Sequence, residues 1–236
     1  MDKPMGQSSH PAGRVFAALM FCAWVALTIS GCGAPSKPRV PPRPSLSTGS
    51  RILILPFEDM TGIYGPEGLI KCPVCDSYFD AGPVSPSAPD FLTSRLISML
   101  EKRTDYRIEF SNRMLGRFVE DAQGGQRMTS ELENLVQEGR AVKAPYIMTG
   151  YVYRFRERVG RGYSAVEPAS VAFSVHLIDT LGARVTWTGI YNETQQALTN
   201  NLFQLGTFVN RGGGWVRAEE LAESGLESIM DGFVKQ

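Results

Sequence analysis

Histidine is nearly missing from this chain, whose 236 residues include only two, His10 and His176. That leaves little room for a Ser-His-Asp constellation, and nothing resembles the glycine-flanked elbow that presents a nucleophilic serine. No catalytic residue is therefore expected. Net charge is missing too, with 24 basic residues against 24 acidic ones. The balance provides no electrostatic footprint for nucleic acid, and none for any strongly anionic partner. No apolar run reaches the roughly 20 residues of a membrane-spanning helix, and no internal repeat is visible. Cysteine is limited to Cys22, Cys32, Cys72 and Cys75.

The longest uncharged apolar stretch runs from Val15 to Ile29, preceded by Lys3, His10 and Arg14. A basic start followed by an apolar stretch of about 7 to 15 residues is the pattern of a secretory signal. It ends in Ile29-Ser30-Gly31-Cys32, which resembles the lipobox of bacterial lipoproteins. That resemblance implies removal of residues 1–31 and lipidation of Cys32, making a durable anchor of several acyl chains, each buried CH₂ worth about 0.8 kcal/mol. Gly33 follows in place of the aspartate that commonly marks inner-membrane retention in that family. Export to the outer membrane, facing the periplasm, is the implied location.

From 32 to 49 the chain holds Pro35, Pro38, Pro41, Pro42 and Pro44 with few bulky apolar residues. Proline fixes φ and removes a donor, so an extended tether is expected, about 3.1 Å per residue. A periplasmic α/β domain should occupy residues 50–236, with a long Gly- and Pro-rich loop at 58–88. "RILILPF" reads as a buried strand, and residues 89–103 set Leu92, Leu96, Met99 and Leu100 on one helical stripe. "YRIEF" should be a second strand. Helices follow near 111–121 and 130–142, the latter opened by Ser130-Glu-Leu-Glu133 with capping-box spacing.

Alternation then places Ile147, Thr149, Tyr151, Tyr153 and Phe155 on one strand face, and Val171, Phe173, Val175 and Leu177 on another. Asp179–Gly182 should turn into a returning strand, "ARVTWTGIYNE". The final stretch should be a helix with Ala218, Ala222, Gly225, Ile229 and Phe233 toward a sheet. The expected fold class is α/β (α+β): a mixed sheet of about five strands with a C-terminal meander, covered by helices.

"ILILPFEDMTG", "APYIMTGYV" and the meander resemble the periplasmic domains of the curli-secretion lipoproteins and of the lipoprotein activators of penicillin-binding proteins. The resemblance implies a non-catalytic binding or assembly role for another envelope component, an envelope protein or a peptidoglycan-associated partner, with homo-oligomers conceivable. An oligomeric secretion or export component is the alternative. Residues 156–170 are too short and polar to supply the membrane hairpin of a pore-forming member. Tyr151, Tyr153 and Trp187 are either an aromatic binding surface or core.

Cys72-Pro-Val-Cys75 lies in the 58–88 loop. Beside a pair of idle thiols, three chemistries fit that spacing: a local disulfide suited to an oxidising periplasm, a metal shared between two chains, and a redox pair. A zinc site within one chain lacks thiols, and His176 in mid-strand reads as a packed, hydrogen-bonded imidazole, so neither a metal nor a cofactor is expected. Arg211-Gly212-Gly213-Gly214 precedes the last helix and could present N–H groups to an anion or partner, or be a flexible turn. Gly160-Arg-Gly162 leads toward Pro168 and not into a helix, which suits a hairpin connection better than a dinucleotide loop. Glu58 and Asp59 read as solvated loop carboxylates.

Overall fold

The computed structural model describes residues 46–112, 130–161, 164–195 and 216–234. Its frame is a six-stranded mixed sheet. Strand β1 (Arg51–Ile54) lies between β5 (Arg107–Phe110) and β6 (Tyr146–Arg156) and is parallel to both. The meander continues antiparallel through β9 (Ser170–Asp179) and β10 (Arg184–Thr194), giving the order β10-β9-β6-β1-β5, with the two-residue β2 (Glu58–Asp59) also on β6. The expected class stands, with one strand more than expected. A separate hairpin of β7 (Val159–Arg161) and β8 (Ser164–Glu167) takes up the Gly160 segment.

One sheet face is closed by two helices, α2 (Ala88–Arg103) and α4 (Ala218–Val234). Leu92, Leu96 and Leu100 from α2 and Leu226, Met230 and Phe233 from α4 pack on Ile52, Ile54, Phe173, Val175 and Leu177. Each such side chain contributes roughly 1.5–3 kcal/mol by leaving water. Arg103 adds ion pairs to Glu227 and Asp231 across the helices; these are partly exposed pairs of small worth. On the other face, α3 (Glu131–Ala141) covers Leu53, Leu55, Ile147 and Ile178 through Leu135 and Val136. Its capping box forms as the sequence implies, with Ser130 Oγ accepting from Glu133 N and Glu133 Oε2 accepting from Ser130 N. Of the expected helix at 111–121, residues 113–121 lie outside the described residues.

One expectation needs correction: the segment 58–88 is not one long loop. It holds β2, a one-turn helix α1 (Thr61–Tyr64), and an antiparallel hairpin of β3 (Leu69–Lys71) and β4 (Tyr78–Asp80). Ile70 and Phe79 are buried while Leu69, Lys71, Tyr78 and Asp80 face outward, the period-two signature of a half-buried strand pair. Phe79 stacks on Tyr153 at 3.9 Å, holding the hairpin on the sheet. Of the two readings open for Tyr151, Tyr153 and Trp187, the structure selects core, each being no more than 2% exposed.

The alternation along β6 also breaks. A bulge between Val152 and Arg154 inserts one residue, so Phe155 joins the helix-covered face while Tyr151 and Tyr153 stay under the hairpin. Arg154 is freed to donate to Ser170 Oγ, Asp80 O and Asn192 Oδ1.

Candidate functional site

The hairpin end carries Cys72-Pro-Val-Cys75. Cys72 N–H donates to Ser77 O at 2.9 Å, closing the connection into a tight knuckle. Backbone donors at Val74 and Ser77 act to lower the Cys72 and Cys75 thiols respectively, each two residues beyond its cysteine. Such donors favour the charged form of sulfur.

Beneath the knuckle lies β9, whose residues 172, 174, 176 and 178 face this side while Val171, Phe173, Val175 and Leu177 face the helices. His176 therefore rises directly under the hairpin. Its Nε2 stands 3.4 Å from Cys72 Sγ and 2.8 Å from Ser174 Oγ, and its Nδ1 is 3.0 Å from Thr188 Oγ1 on β10. Ser174 Oγ in turn meets the Tyr153 hydroxyl at 3.1 Å. Cys72 Sγ, Cys75 Sγ and a ring nitrogen of His176 all lie within 4.8 Å of one another. The sequence reading of His176 as a packed, hydrogen-bonded imidazole is correct, yet it missed that two of its neighbours are the thiols.

The electrostatics follow from burial and from the knuckle. His176 is fully buried, which lowers its pKa to about 3 and keeps the ring neutral. The hydrogen bond from Cys72 lowers Cys75 to about 6, whereas Cys72 is pushed well above the usual thiol range, first by that same bond and then by burial. Tyr153 is also raised, chiefly by burial. Cys72 is buried and Cys75 half-buried, and both are free thiols. The cluster thus offers two sulfurs and one neutral imidazole, the donor set of a soft or borderline metal.

No family model matches the chain, and no curated protein matches it. Solved structures similar to it include the PelC dodecamer from Paraburkholderia phytofirmans, at 13% identity and TM-score 0.49 over 83% of this chain and 95% of that one. The LpoB C-terminal domain from Salmonella enterica is 12% identical with TM-score 0.33, over 65% of this chain and 88% of that one. Lipoprotein GNA1162 from Neisseria meningitidis is 10% identical with TM-score 0.35, over 70% and 98%. Likeness at this distance transfers no activity, partner or site.

Other sequence candidates fall differently. Asp59 is occupied in the backbone: its Oδ1 accepts from Thr61 N at 2.8 Å and Thr61 Oγ1 at 2.7 Å, where α1 begins. Asp59 is therefore a turn-forming residue and no longer reads as a solvated carboxylate. Cys32 and Gly212, Gly213 and Gly214 lie outside the described residues. A signal for the hairpin that carries the two thiols was present in the sequence, in the "LIK" and "YFD" alternations flanking Cys72 and Cys75. It was masked by the glycines and prolines around it.

Proposed function

We propose that the chain is an outer-membrane lipoprotein facing the periplasm, whose α/β body is a non-catalytic binding or assembly module for another cell-envelope component. The observation that carries this reading is Ile29-Ser30-Gly31-Cys32 at the end of an uncharged 15–29 run. A cysteine at that point suits lipid attachment, and the proline-rich residues that follow suit a spacer. Fully extended, the tether reaches roughly 50 Å at about 3.1 Å per residue, enough to carry the body away from the bilayer. At the β5 end of the sheet, Arg107, Glu109 and Phe110 are exposed, a composition compatible with strand addition or with a polar contact.

Substituting Cys32→Ser tests the anchor. Fatty-acid labelling should vanish and the precursor should remain uncut; normal maturation of the variant would overturn the reading. Crosslinking in native envelopes followed by mass spectrometry should then recover an envelope protein or a peptidoglycan-associated partner. A ring-sized particle on gentle detergent extraction would favour the oligomeric secretion alternative. The reading as a thiol-redox or metal-dependent protein draws on a different observation, the convergence of Cys72, Cys75 and His176.

A further inference from the structure

Cys72 and Cys75 come from a hairpin connection, His176 from the middle of a sheet strand, and the fold brings their donor atoms within 4.8 Å of one another. We propose that these three side chains form a zinc(II) site, one ion per chain, with Cys72 Sγ, Cys75 Sγ and His176 Nε2 as ligands and solvent admitted beside half-buried Cys75 in the fourth position.

Three features of the structure carry this inference. The first is distance. With Zn–S about 2.3 Å and Zn–N about 2.0 Å, the sulfur–nitrogen edge of a tetrahedron is about 3.5 Å, and Cys72 Sγ stands 3.4 Å from His176 Nε2. The second is the knuckle itself, which Cys72 N–H closes by donating to Ser77 O at 2.9 Å, so that one tight connection brings both sulfurs to the buried imidazole. The third is the orientation of the ring. With its proton on Nδ1, His176 donates to Thr188 Oγ1 at 3.0 Å and keeps the lone pair of Nε2, 3.4 Å from Cys72 Sγ, available to a metal. A metal-bound histidine is held in this way by a partner on its other nitrogen.

The surroundings accommodate the ion. Ser174 Oγ, now 2.8 Å from Nε2, retains the Tyr153 hydroxyl at 3.1 Å when the metal takes the ring nitrogen. Binding expels the thiol protons and ties the β3–β4 hairpin to β9, so the metal holds together two segments whose ligands are 104 residues apart. This zinc site is independent of membrane attachment, and Cys32→Ser protein should bind the ion equally well.

The test uses the full chain, extracted in mild detergent, reduced and stripped with a chelator. Titration with zinc(II) against a competing chelator should end at one ion per chain. Cobalt(II) in its place should give a thiolate-to-metal charge-transfer band and intense tetrahedral ligand-field absorption. Thr188→Val leaves every ligand in place and should weaken zinc by about 10- to 100-fold, while Thr188→Ser should restore it. His176→Gln should weaken it further, with circular dichroism reporting that both variants are folded. No zinc uptake by the reduced wild-type protein would overturn the proposal. So would half an ion per chain tied to a dimer, or affinity indifferent to both Thr188→Val and His176→Gln.

Discussion

Cys72 Sγ and His176 Nε2 lie 3.4 Å apart although 104 residues of chain separate them. The contact exists because β9 lifts every second residue toward the face that the β3–β4 hairpin covers, and because Phe79 on Tyr153 fixes where the hairpin lands. Sheet and hairpin are thereby joined at a polar point inside an otherwise apolar layer of Met60, Ile70, Phe79, Tyr151 and Ala172. Such a point is costly to bury unless its groups are paired, and here each has a partner.

The two thiols should react unequally in metal-free, reduced protein. Cys75 is lowered to about 6 by the hydrogen bond from Cys72, and Cys72 is raised by the same bond and by burial. Iodoacetamide near neutral pH should therefore modify Cys75 and spare Cys72 until the protein unfolds. Peptide mass spectrometry reads the sites; equal labelling of the native protein would contradict the asymmetry.

Stability should fall with acid through His176. Its folded pKa of about 3 lies below the unfolded value of about 6.5, so the unfolded chain takes up the proton first. The contribution is complete above about pH 6.5 and is lost as pH falls toward 3, at up to about 1.4 kcal/mol per pH unit. Urea unfolding of the metal-free protein at pH 7 and pH 5 should show a larger loss for wild type than for His176→Gln. Parallel losses would rule this out.

Ser130→Ala removes the side-chain acceptor for Glu133 N at the start of α3. The expected cost is about 1 kcal/mol, seen as a lowered unfolding midpoint with unchanged denaturant dependence. Ser130→Asp should recover most of it.

Gly150 in β6 lies under the Phe57 ring, and a Cβ there would overlap the ring atoms. Phe57 cannot easily give way, since it is buried and its N–H donates to Thr93 Oγ1 at 2.9 Å. Gly150→Ala should destabilise by about 1–3 kcal/mol despite the gain in backbone restriction. A neutral or stabilising result in thermal unfolding would show that the ring moves.

Much of the architecture is legible along the chain because it is written in local periodicity. Leu92, Leu96 and Leu100 repeat at helical spacing, Val171 to Leu177 alternate, and Ser130 with Glu133 marks a helix start; each pattern matches a buried face or a formed cap. The resemblance of Ile29-Ser30-Gly31-Cys32 to a lipobox is a local signal of the same kind, since the chemistry it suggests needs only adjacent residues. Neither kind of signal requires knowing which element packs on which.

Tertiary structure decided the rest. Whether Tyr151, Tyr153 and Trp187 were surface or core depended on what covered them, and the cover was a hairpin and a helix from distant parts of the chain. The fate of Phe155 turned on one inserted residue in the pairing of β6 with β9, a matter of hydrogen-bond register that composition does not encode. The third donor beside Cys72 and Cys75 could not be found by spacing at all. His176 reaches them through the strand order that sets β9 beside β6 and the stacking of Phe79 on Tyr153, and both depend on how buried surfaces fit one another in three dimensions.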